Sequence, residues 1–151
     1  MIDGAQEKRL KVICDDRGFL YEILRSDDEI FSGFGQAYVT ACYPGVVKAW
    51  HAHSRQTDFF CCVDGMAKVV LYDARDGSPT HGEIQEFFIG DRNPVLLKIP
   101  AGVYHGFTPL GGSGCLILNI PTEPYDRDSP DELRLPWDTS EIPYEWNVVN
   151  R

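Results

Sequence analysis

Three of the four histidines in this chain stand at His51, His53 and His105, and an aspartate, Asp58, follows the first two. Histidine is the side chain whose ordinary pKa lies nearest neutral pH, so it can be neutral and basic there. The segments that carry these residues are GVVKAWHAHSRQTDFFCCVDG, from Gly45, and GDRNPVLLKIPAGVYHGF, from Gly90. Both are strand-like, and two histidines separated by one residue share a strand face. A lone histidine in such a strand is most often a core residue with satisfied nitrogens. Three of them at these spacings, with a carboxylate nearby, point instead to a site.

The elements that must hold them are short. Alternation and turn chemistry predict strands at Lys8–Cys14, Phe19–Leu24, Gln36–Cys42, Val46–His53, Phe59–Val63 and Lys68–Tyr72. Four more are predicted at Glu83–Phe88, Val95–Ile99, Gly106–Thr108 and Cys115–Ile120. Asp64-Gly65 and the run from Gly111 to Gly114 read as hairpin turns. Asp73–Arg75 and the Ser78-Pro79-Thr80 loop read as structural, and His81 as solvated. The tail from Pro121 is rich in proline and acid, with a solvated helical turn expected over Asp126–Glu132. Trp137, Tyr144 and Trp146 are placed to fold it back onto the body of the protein. The pattern is all-β, a sandwich or barrel, with residues 1–151 as a single domain and a tail over about 121–151.

A formal charge of −9, from 14 basic and 23 acidic residues, argues against a nucleic-acid surface. An anionic substrate would need locally placed Arg and Lys. The polar start MIDGAQEKRL is no signal peptide, and no apolar run is long enough to span a membrane. The five cysteines, Cys14, Cys42, Cys61, Cys62 and Cys115, are expected as small buried hydrophobes in a reducing cytoplasm.

The two histidine segments resemble the paired motifs of the cupin superfamily, double-stranded β-helix jelly rolls. In metal-binding cupins the positions of His51, His53, Asp58 and His105 hold one ion. A more specific resemblance runs along most of the chain in collinear order. Asp16-Arg17-Gly18-Phe19-x-x-Glu22, Val47-Lys48-Ala49-Trp50-His51, the Tyr72–Gly82 block, Ile99-Pro100-x-Gly102-x-x-His105-Gly106-Phe107 and Thr122–Tyr125 are similar to blocks of the dTDP-4-dehydrorhamnose 3,5-epimerase family. Trp137-Asp138 and Trp146 are similar to its closing block.

This resemblance implies a metal-free isomerase without a cofactor, acting on a nucleotide-linked 4-keto-6-deoxy sugar and commonly a homodimer. It implies His51 as general base polarised by a carboxylate such as Asp138, Tyr125 as acid, and His105 hydrogen-bonded to substrate or phosphate. Arg17, Phe19 and Glu22 would hold the nucleotide end, across the dimer interface, and Lys48 would meet the diphosphate. His53 and Asp58 complete the expected substrate-binding set. Asp58 stands where the family has a lysine that stabilises the enolate, Pro124 stands where its tyrosine follows directly, and Thr139 aligns with its aspartate, one place from Asp138. Two other readings are a metal-dependent small cupin enzyme, through His51, His53, Asp58 and His105, and a non-catalytic sugar-nucleotide binder.

Overall fold

A computed structural model describes residues 1–146. Among them are twelve strands and no helix. The strands are β1 (Gln6–Arg9), β2 (Ile13–Asp15), β3 (Gly18–Leu20), β4 (Tyr38–Cys42), β5 (Lys48–Ala52) and β6 (Asp58–Asp64). They continue as β7 (Met66–Asp73), β8 (Ile84–Gly90), β9 (Val95–Ile99), β10 (Val103–Pro109), β11 (Cys115–Asn119) and β12 (Leu133–Arg134). One five-stranded sheet runs β1-β9-β6-β11-β4, the other β12-β5-β10-β7-β8, and β2-β3 form a separate two-stranded sheet. The architecture is the all-β sandwich expected of a jelly roll.

Three apolar layers follow from strand alternation. Phe60, Cys62, Val69, Leu71, Ile89, Leu97, Phe107 and Ile117 meet in the central core. The opposite face of β6 and β9, carrying Phe59, Cys61 and Leu96, is covered by Leu10, Ile30, Ile23 and Leu24. Behind the other sheet, Trp50 and Val70 are covered by Ile142, Tyr144, Trp146 and Leu135 from the C-terminal segment. Cys61 and Cys62 thus occupy different layers, as adjacent strand residues must. Trp137 remains half exposed.

Several local expectations are corrected. Asp64-Gly65 and the loop at 111–114 are not hairpin turns, because each carries the chain from one sheet to the other. Gly65 makes that corner at φ 74°, where a Cβ would lie 2.5 Å from the Gly114 carbonyl oxygen. The predicted strand Lys8–Cys14 divides because Leu10 leaves the ladder to cover the outer layer, its N–H donating to the Pro94 carbonyl at 2.9 Å. No helical turn forms over Asp126–Glu132. Asp126 instead accepts from the Asp128 N–H at 2.9 Å, and the chain proceeds to β12, which pairs with β5. Cys14 is exposed, unlike the other four cysteines, because β2 and β3 lie outside the sandwich. Asp73 is fully buried and binds Arg75, Ser78 and Thr80, the structural role read for that loop, while His81 is exposed.

Candidate active site

A cavity of about 860 Å³ opens between the two sheets, with Tyr38, Thr40 and Phe60 on one wall and Lys48, His51 and His105 on the other. Strand alternation sends Trp50 and Ala52 to the covered face of β5 and His51 to the cavity. His105 of β10 pairs in register with His51, and two residues further on Phe107 pairs with Lys48. This two-against-three spacing is a bulge, a common device beside sites. It brings Ala49 so close to Gly106 that a Cβ there would lie 2.3 Å from the Ala49 Cβ.

His51 is held by a carboxylate, but that carboxylate is Glu132. Nδ1 of His51 lies 3.0 Å from Glu132 Oε1, and Arg134 donates to the other oxygen at 2.8 Å. A carboxylate can only accept, so Nδ1 carries the proton and Nε2 is left as the basic lone pair. Burial lowers the pKa of His51, against the pull of Glu132, so the ring is neutral at neutral pH. Asp138, expected in this role, is exposed and does not line the cavity. The cause is simple: β12 pairs with β5, Arg134 opposite His51, and Glu132, just before β12, reaches the imidazole.

His53, Asp58 and His105 form a second cluster. Asp58, 1% exposed, approaches His53 Nε2 at 3.2 Å and His105 Nε2 at 3.4 Å through Oδ2. Its Oδ1 accepts 2.8 Å hydrogen bonds from the side-chain amides of Gln56 and Asn119. His53 Nδ1 is bonded to the Asp131 carbonyl, and His105 Nδ1 lies 3.2 Å from the Val103 carbonyl. Burial would lower the His53 pKa, but the Asp58 carboxylate and the Asp131 carbonyl raise it on balance. Complete enclosure pushes His105 down to about 4, despite Asp58. Burial would raise Asp58, yet the histidines and amides hold it below the usual carboxylate value.

Two expected roles change with this geometry. Asp58 has both oxygens engaged by protein groups and does not line the cavity, so what it touches is the two histidines and two amides. His105 lines the cavity with Nδ1 3.2 Å from the Val103 carbonyl and Nε2 3.4 Å from Asp58, so the protein surrounds both nitrogens. One donor atom each of His53, Asp58 and His105 lies within 4.8 Å of the others, a spacing that a metal ion would also require. His51 is outside that group, its Nδ1 committed to Glu132. With His51 outside, the four-ligand set of the metal reading is not assembled, and the remaining three residues are joined by charge contacts through Asp58 Oδ2.

Tyr125 and Lys48 line the same cavity as His51, and Lys48 donates to the Thr40 hydroxyl at 2.8 Å. Arg17, Phe19 and Glu22 do not line it. Arg17 pairs with Asp15, Glu22 with Arg25, and Phe19 is 70% exposed on the β2-β3 hairpin. Residues the sequence reading passed over include Glu132, Arg134, Arg55 and Asp131. The carboxylate of Asp131 accepts the backbone N–H groups of Ser54, Arg55 and Gln56 at 2.9–3.1 Å, fixing the turn after His53. The alternation Glu132-x-Arg134 was the available signal, since such residues share a strand face. Lys48, Arg55 and Arg134 give this acidic chain the local cations an anion would need.

Comparison with known proteins gives the family of the chain. The profile of a family described as dTDP-4-dehydrorhamnose 3,5-epimerase matches residues 1–151. The chain is 46% identical over 151 residues to the spore coat polysaccharide biosynthesis protein SpsL of Bacillus subtilis, covering 100% of both chains. It is 43% identical to the probable low-salt glycan biosynthesis epimerase Agl13 of Haloferax volcanii, over 97% of this chain and 96% of that one. A crystal structure of a dTDP sugar isomerase from Desulfovibrio desulfuricans superposes with a TM-score of 0.90 at 36% identity, covering 96% of this chain and 92% of the other.

Proposed function

Because the chain belongs to the dTDP-4-dehydrorhamnose 3,5-epimerase family, we propose that it is an epimerase acting on a nucleotide-linked 4-keto-6-deoxy sugar. The observation that carries the reading is His51, a neutral imidazole oriented by Glu132, without a partner for Nε2 among the described residues, lining a cavity that Tyr125 also lines. A 4-keto group acidifies the C–H bonds at C3 and C5. Nε2 of His51 takes one such proton, and the electron pair of the C–H bond moves into an enolate on the former ketone oxygen. Glu132 stabilises the imidazolium that results. The Tyr125 hydroxyl returns a proton to the carbon from the other face, which inverts it, and the enolate collapses to the ketone. Lys48, Arg55 and Arg134 meet the diphosphate.

The proposal includes a homodimer in which the exposed hairpin carrying Arg17 and Phe19, with Glu22 just beyond it, completes the nucleotide end of a neighbour's cavity. Exposed Ile13, Phe19 and Leu20 support a packed role for that hairpin. Light scattering should return twice the 17.0 kDa chain mass, and a monomer at micromolar concentration would remove the shared site. The five free cysteines suit a reducing cytoplasm. No helix among the described residues is long and apolar enough to cross a membrane.

The reaction is tested in heavy water. A 4-keto-6-deoxy nucleotide sugar should gain deuterium at C3, at C5 or at both when the protein is added. Binding of the sugar nucleotide without exchange at either carbon would refute the epimerase and leave a binding protein.

A further inference from the structure

We propose that Asp58 is a positioning residue that holds His53 as an imidazolium, so that an acid at position 58 still presents positive charge to the cavity. The inference rests on the epimerase reading for its purpose and on geometry for its substance. Both nitrogens of His53 face oxygens that can only accept: the Asp131 backbone carbonyl at Nδ1 and the Asp58 carboxylate, 3.2 Å away, at Nε2. A ring that donates from both nitrogens is a cation.

Charge balance leads to the same place. Asp58 is sealed from water, and two amide N–H groups on Oδ1 favour its ionised form. A buried carboxylate needs a partner cation. The side chains that touch it are the neutral amides of Gln56 and Asn119 and the two imidazoles. His105 is the more enclosed ring and lies further from Oδ2, at 3.4 Å. His53 reaches the cavity surface, with a side-chain exposure of 14%, where its charge is better solvated.

The pair is therefore a dipole whose negative end is buried under β6 and β11 and whose positive end faces the reacting molecule. An enolate forming beside His51 feels the near, positive end most strongly, since the interaction falls with distance in a partly dehydrated site. The groups near His53 are Asp58 from β6, His105 from β10, His51 from β5 and Asp131 from the flanking chain, with Glu132 and Arg55 lining the same cavity. Two carboxylates close to the ring, Asp58 and Asp131, favour the cation, and His51 and His105 are neutral beside it.

Nitrogen-15 NMR of histidine-labelled full-length protein reads each ring directly. In the wild type both nitrogens of His53 should be protonated at neutral pH, above the ordinary histidine value of ~6.5, while His51 is neutral. Asp58→Asn keeps the shape and removes the charge, so His53 should become neutral near pH 7. Solvent deuterium exchange by that variant should fall roughly 10–100-fold at neutral pH, less than for loss of a direct oxyanion donor. Taken relative to wild type at each pH, the deficit should narrow as acid returns a proton to His53. A variant that was merely misfolded would show the same deficit at every pH.

A neutral His53 in the wild type overturns the proposal, as does a deficit that does not change with pH. Stoichiometric metal bound by His53, Asp58 and His105 in the purified protein also overturns it. If Asp58→Asn fails to fold, the wild-type spectrum alone decides. If the wild type shows no exchange at all, the epimerase reading fails, and the spectrum still reports whether Asp58 holds a cation.

Discussion

The two histidines of the His51-x-His53 pair line one cavity, His53 just beyond the end of β5, yet their surroundings prepare them for opposite duties. His51 lines the cavity with one carboxylate on Nδ1 and no partner for Nε2 among the described residues, and burial holds it neutral. His53 has acceptors on both nitrogens, and its pKa is raised. Acceptors at both nitrogens favour a fixed charge at His53, whereas complete enclosure keeps His105 neutral although it too has an oxygen near each nitrogen. A base must keep one lone pair. The fold supplies this difference through β12, which places Glu132 beside His51, and through β6, which buries Asp58 under His53.

Removing the free lone pair should have the largest effect. His51→Asn keeps some hydrogen bonding but no basic nitrogen, and deuterium exchange should fall by roughly 10²–10⁴-fold. A loss below tenfold in this variant would mean that another group takes the proton. Glu132→Gln tests the orienting acceptor. The amide can no longer enforce a proton on Nδ1 or balance the imidazolium, so exchange should fall on the order of 10–10³-fold, with binding of the nucleotide sugar nearly unchanged. Equal losses in binding and exchange would assign Glu132 to the substrate instead.

On the His53 side the smaller effect is one of stability. Asp131→Ala leaves three N–H groups of the 54–56 turn without their acceptor, at a cost of about 2–3 kcal/mol in chemical denaturation. Burial would raise the Asp131 pKa, but those N–H groups depress it strongly on balance. Its contribution should therefore be complete above the ordinary aspartate value of ~3.9 and be lost as pH falls toward the depressed folded value. The wild-type advantage should shrink in strong acid, and a gap that widens there would contradict the assignment.

Much of the fold was legible because strand periodicity is local. Val95–Ile99 was predicted with its observed bounds, and most other strands within a few residues. Sheet membership was not legible at Asp64-Gly65, since β6 is buried on both faces and shows no alternation that could reveal its partner. The site divides in the same way. His51, His53, Asp58 and His105 stood out by type and spacing. Glu132 did not, because it sits in an acidic, proline-rich tail that reads as solvated surface, and only the pairing of Leu133 and Arg134 with β5 turns it inward. Asp138 lies outside the cavity for the complementary reason: motif position places a residue along the chain, whereas the pairing of β12 with β5 brings Glu132 to the imidazole.

The account depends most on His51 being the neutral base, and the pH dependence of kcat/KM for wild-type solvent exchange reads that group in the free enzyme. A base must be deprotonated to act, and burial lowers the His51 pKa from 6.5. The rate should rise with pH through a midpoint below ~6.5 and be level at neutrality. A midpoint well above 7, or an ascending limb that persists with the same midpoint in the residual activity of His51→Asn, would contradict the assignment of His51 as the base.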